Sequence, residues 1–169
     1  MGRVHPETYS KTQIILHWAI AALILFQIVF AEGIEEYGHA LRDGQTPGTM
    51  DFTLGNAHIW LGVTVLILMI ARIALRFIHG APPPAPAPKL QDLAAKAAHF
   101  LLYAALFIAP LSGIAMWFFR VREAGGPHHL MEKVIVVLVV LHIAGALWHH
   151  FVQKDNVLKR MLSSKTTSI

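Results

Sequence analysis

The chain has 169 residues, of which 55% are hydrophobic and 14% charged; a soluble domain of one-domain length carries about a quarter charged residues, so an ordinary soluble fold is excluded. Its formal charge of +4 would suit nucleic acid, but the basic residues sit at the ends of apolar runs, where membrane proteins place them, and no nucleic-acid role is expected. Cysteine is absent, which excludes disulfides, iron–sulfur clusters and covalent c-type haem, and leaves 11 histidines and the carboxylates for any metal chemistry.

Four apolar segments, 12–31, 53–78, 92–119 and 130–152, each reach the ~20 residues that cross the hydrocarbon core as a helix. A single domain over 1–169 is expected: an all-α integral membrane four-helix bundle. The first span carries His17 and Trp18 and is too long for a cleavable signal peptide. The connection over 32–51 is acidic, contains Gly and Pro, and reads as a loop. The second span carries His58 and Gly62 and ends with Arg72 and Arg76. A polyproline stretch over 80–88 follows, stiff and unable to continue a helix. The third span carries His99, and the connection after it holds Arg120, Arg122, Gly125, Gly126 and Pro127. His128 and His129 open the fourth span, His142 lies within it, and His149 and His150 close it.

Ten Lys and Arg residues fall on the side of the two termini and four on the other, so both termini are expected in the cytoplasm.

Histidine within a span is costly and marks function more often than packing. His128 and His142 are 14 residues apart, hence near one face of a helix and about 21 Å apart along its axis. One helix can thus ligate two stacked haems, given a partner histidine at each depth. His17 matches His142 near the inner surface, and His58 matches His128 near the outer surface. Two ligands per iron leave no open position, which suits electron transfer. His99 is an alternative to His17, and His129 to His128. Gly62, one turn beyond His58, either lets a flat macrocycle approach or serves helix contact through a small residue.

The motifs Leu16-His17-Trp18, Asn56-Ala57-His58, Ala98-His99-Phe100-Leu101-Leu102-Tyr103, Leu141-His142 and Trp148-His149-His150-Phe151 with Lys154-Asp155-Asn156 make the sequence resemble the bacterial cytochrome b561 family. The likeness covers nearly the whole chain. It implies a multi-pass protein of the bacterial inner (plasma) membrane with two haem b, ligated by His17, His58, His128 and His142. The family includes an enzyme that oxidises superoxide and reduces ubiquinone. A related group supplies haem b subunits that anchor dehydrogenases and hydrogenases. The sequence departs from the family in a longer first connection, and in Pro127-His128-His129 where a His-Glu pair is more usual.

Arg72 and Arg76 follow His58 by 14 and 18 residues, so they share its face at the inner surface. They suit the inner haem's propionates, or anchor the helix in the headgroups. His149 keeps the face of His142, seven residues on, while His150 turns away; His149 is the candidate proton donor to a quinone. Trp18 offers a quinone ring an aromatic surface or anchors the span at the interface. Arg120, Arg122 and Lys133 either collect a small anion such as superoxide or are solvated loop charges. The expected function is an oxidoreductase taking electrons from an outer-side donor, with superoxide a candidate, to ubiquinone. The alternative is a haem b membrane-anchor subunit of a larger dehydrogenase or hydrogenase complex; a membrane or periplasmic redox partner is a candidate in either case.

Reporter fusions at Ile169 and within 32–51 are expected to signal cytoplasm and periplasm respectively. A periplasmic signal from the C-terminal fusion would overturn the orientation.

Overall fold

The computed structural model of the protein describes residues 8–164. Helix α1, Lys11–Val29, starts where Ser10 closes a capping box: its Oγ accepts the Gln13 N–H at 3.3 Å while Gln13 Oε1 accepts the Ser10 N–H at 3.0 Å. Helix α2 covers Ala31–Arg42, α3 Thr49–His79 and α4 Lys89–Phe118. After a 3-10 turn at Arg122–Ala124 come α5, Gly125–Trp148, a π-helical turn at His149–Gln153, and the short α6, Val157–Arg160. Among the described residues there is no strand. The helical stretches Lys11–Val29, Thr49–His79, Lys89–Phe118 and Arg122–Gln153 are long and apolar enough to cross a membrane. They are the four expected spans, so the all-α four-helix bundle holds.

Helix α1 packs on α3, α3 on α4 and α4 on α5, whereas α1 and α5 do not pack along their length. Ile20, Val65 and Met69 form one small buried cluster, and Ala105, Ile135 and Leu138 another, with Ile24 and Leu106 against both. Most large apolar side chains point outward instead, among them Leu25, Trp60, Ile67, Phe77, Phe100 and Val140. In water this surface would aggregate; in a bilayer it meets a solvent of its own polarity.

The stretch 32–51 is not the loop its acidic composition suggests. Residues 31–42 are helix α2, because Ile34, Tyr37 and Leu41 recur at helical spacing on one face while Glu32, Glu35 and Glu36 take the others. The open connection is only 43–48, turned by Gly44 at φ 68°. Tyr37 is buried and docks α2 against α3 at Gly55, where any Cβ would collide with its ring. Phe52 and Trp117 lie 6.1 and 5.9 Å from that ring, and the Arg120 guanidinium sits 5.8 Å over Trp117. This aromatic cluster closes the end of the bundle away from the termini.

The other end is tied by hydrogen bonds between segments far apart in sequence. Gln13, the buried polar side chain among the described residues, donates Nε2 to Gly80 O at 2.9 Å. Gly80 ends α3 at φ 74°, a left-handed conformation that favours glycine, and starts the polyproline connector. Arg160 reaches Pro83 O at 2.8 Å, and Thr8 Oγ1 donates to Ser164 O at 3.2 Å.

Replacing Gly55 by Ala is expected to force Tyr37 out of its seat, an overpacking that costs about 1–3 kcal/mol. Thermal unfolding in detergent and hydrogen exchange over 31–42 measure it; wild-type stability with unchanged protection of α2 would refute this docking.

Candidate functional site

At the end away from the termini, His58 on α3 and His128 on α5 face each other with ring centroids 5.7 Å apart and planes at 90°. His128 does not open its helix as the apolar pattern suggests. Because α5 starts at Gly125, it stands one turn inside, facing the bundle. Its Nδ1 donates to Ala109 O at 2.8 Å, with Ser112 Oγ at 3.4 Å. A carbonyl only accepts, so the ring proton is on Nδ1 and the lone pair on Nε2. Gly113 makes room for this: a Cβ there would come within 3.0 Å of His128 Cε1.

The His58 ring is set by a residue that sequence reasoning missed. Gln27 donates Nε2 to the His58 carbonyl at 3.1 Å, which turns its Oε1 toward His58 Nδ1 at 2.8 Å. His58 therefore also carries its proton on Nδ1 and presents Nε2. The one sequence signal was an amide side chain inside an apolar run. Beside this pair, Gly62 opens space: a Cβ there would have no atom nearer than Gln27 Nε2 at 4.0 Å. His129 points elsewhere. Its ring is exposed, 3.9 Å from Glu132, and His128 is the ring that faces His58.

At the other end three rings converge. His17 on α1 lies 6.1 Å from His142 on α5, with planes at 67°, and His99 on α4 lies 5.3 Å from His142, at 86°. His99 spends its Nδ1 on Ala95 O of its own helix at 2.6 Å. Arg72 stands within electrostatic reach of His17 and His142. It donates Nε to the Tyr103 hydroxyl and a terminal nitrogen to Gln13 O, both at 3.2 Å. Arg76 joins Arg72, Tyr9, Gln13 and Tyr103 around a narrow cleft.

The donor chemistry fits haem b at both levels. Among the described residues no group of three His, Asp or Glu side chains, the His17, His99 and His142 rings included, is placed to hold a bare ion. Facing imidazoles from separate helices would instead suit haem iron.

Beyond His142 the chain changes character. The π turn starts at His149, and Lys154 at φ 55° folds the chain back on itself. Asp155 Oδ2 thereby meets His149 Nδ1 at 2.5 Å, while its Oδ1 accepts the Val157 N–H at 3.0 Å. Partial burial pushes the Asp155 carboxyl up, but the Val157 N–H, the His149 bond and charge, and the Arg160 charge together hold it below the usual carboxylate range. A depressed carboxylate stabilises the fold above its unfolded pKa and ceases to do so only as pH falls through the lowered value. The tail is therefore pinned at neutral pH. His150 turns away against Phe151, at 4.7 Å. Trp18 stands edge-on to His17 at 5.4 Å and donates its indole N–H to Met161 O at 2.7 Å, linking α1 to the tail.

Comparison with known proteins gives the family. The profile of the prokaryotic cytochrome b561 family matches residues 8–164. The chain is 36% identical to cytochrome b562 of Cereibacter sphaeroides over 91% of its length and 94% of that protein. It is 29% identical to a probable superoxide oxidase CybB of Yersinia pestis over 94% and 98%, and 31% identical to cytochrome b561 homolog 1 of Escherichia coli over 91% and 96%. No solved structure matches it significantly. The chain belongs to the prokaryotic cytochrome b561 family and is a multi-pass bacterial membrane protein of haem b electron transfer.

Proposed function

We propose that this protein is a quinone-linked oxidoreductase: it takes electrons from a donor outside the membrane, superoxide being one such donor, and reduces ubiquinone at the cytoplasmic end. The observation that carries this reading is the arrangement on α5, whose His128 and His142 each face an imidazole from another helix. His58 and His128 would hold one haem b, and His17 and His142 a second. Haem b supplies reversible one-electron exchange between ferric and ferrous iron.

The chain's own residues supply the rest. Gln27 and the Ala109 carbonyl keep the Nε2 lone pairs of His58 and His128 aimed into the bundle. Arg72, braced by Tyr103 and Gln13, and its neighbour Arg76 offer guanidinium groups to the inner macrocycle's carboxylates. Gly62 leaves room beside His58. At the membrane surface Asp155 holds His149 by Nδ1, so that Nε2, once it has taken up a proton from the aqueous side, gives it to a quinone oxygen. Trp18 borders the same region. Outside, Arg122 and Lys133, with Arg120 on Trp117, attract a small anion. Two superoxide ions each yield one electron and leave as dioxygen, and one quinone takes two electrons and two protons to become quinol. The relative named a probable superoxide oxidase supports this choice of donor.

Pyridine haemochrome analysis is expected to give two b haems per chain. His17→Ala or His142→Ala is expected to remove the inner haem, and His58→Ala or His128→Ala the outer. Loss of the inner haem in His99→Ala but not in His17→Ala would reassign that ligand.

His149→Ala is expected to keep both haem spectra and reduction by an outer donor. Reoxidation of pre-reduced protein by excess ubiquinone, followed by stopped flow, should slow about 100-fold or more, the range for loss of a general acid. His150→Ala should stay near wild type. Equal behaviour of the two variants, or haem loss in His149→Ala, would remove His149 from the quinone site.

A further inference from the structure

The two histidine pairs differ in how their rings are held. In the outer pair, both Nδ1 protons go to carbonyl oxygens of a third and a fourth helix, Gln27 of α1 for His58 and Ala109 of α4 for His128. In the inner pair the neighbouring charge is the Arg72 guanidinium. Gln27 is held from two directions, since the carbonyl that orients its amide belongs to the residue whose ring it binds. The amide can present only its oxygen to Nδ1. Neither a flipped amide nor the other tautomer of His58 satisfies both bonds.

We propose that Gln27 is a positioning residue for the outer haem: it fixes the tautomer and ring plane of His58 and makes that imidazole a stronger donor to iron, which lowers the outer haem's potential relative to the inner one. This rests on reading His58 as an outer-haem ligand. A ligating histidine whose other N–H is bonded to a carbonyl is a more basic ligand, and a more basic ligand favours ferric iron. Near the inner pair, Arg72 brings positive charge, which favours ferrous iron. Both effects make transfer from the outer level to the inner downhill. Gln27 lies ten residues after His17 on α1, about 15 Å further along the axis. One helix thus supplies an inner ligand and the orienting group of an outer one.

The test is a redox titration of the full chain in detergent, with the outer component identified as the one missing in His58→Ala. Gln27→Met fills the same space without an acceptor; Gln27→Glu retains one. In Gln27→Met the outer component is expected to move to higher potential, with outer-haem affinity about 10–100-fold weaker. Gln27→Glu is expected to stay at or below the wild-type potential, and the inner component to be unmoved in both. Should Gln27→Met hold no outer haem, Gln27→Glu decides: retention of that haem at or below the wild-type potential supports the proposal, and its loss overturns it. If Gln27 merely ties α1 to α3, Gln27→Met lowers the melting temperature and leaves the outer potential and its low-spin electron paramagnetic resonance signal unchanged. That result, or a shift confined to the inner component, overturns the proposal. A wild-type protein with fewer than two haems would instead fault the assignment of His58.

Discussion

The structure depends on one constraint: a polar ring inside hydrocarbon must find its partners within the protein. Each imidazole has two nitrogens, and in the His58–His128 pair one of them is already used. Ala109 O and Gln27 Oε1 take the Nδ1 protons, leaving the Nε2 lone pairs as the proposed iron ligands. The polar atoms in the spans are therefore few and specific. The apolar remainder is free to face lipid, which is why the buried clusters around Val65 and Ala105 are so small.

This arrangement explains the loose packing between α1 and α5. A water-soluble bundle would close that seam with interdigitating side chains. Here α4 bridges the two sides, contributing Leu106 to both apolar clusters, the Ala109 carbonyl to His128, and Gly113 as the flat place on which that ring rests. The two ends of the bundle are closed by different means. Away from the termini, α2 lies across it, seated by Tyr37 on Gly55. At the terminal end, hydrogen bonds from Gln13, Trp18 and Arg160 gather the N-terminal segment, the polyproline connector and the tail. The His149–Asp155 pair belongs to this second, more polar end, where protons are available.

The apolar runs, the polyproline break and the histidine spacing are local properties of the chain, so the four spans and the placing of His128 and His142 on one face of a helix were legible without coordinates. A run of ~20 apolar residues has few alternatives in a membrane, and a 14-residue interval on a helix has one geometric meaning. Helix α2 was hidden because its charges suggested a loop, although Ile34, Tyr37 and Leu41 carried the periodicity. What only the tertiary structure decided was which polar atoms meet across helices. Gln27 lies 31 residues from His58 and Ala109 lies 19 from His128, and no periodicity encodes those distances. The same holds for His99, brought nearer to His142 than His17 is by the packing of α4 on α5. It holds too for the tail, where a π turn and a left-handed Lys154 return Asp155 to His149. Helical phase follows from covalent geometry along one chain segment; partners across a bundle follow from crossing, depth and rotation, which the sequence of one helix does not contain.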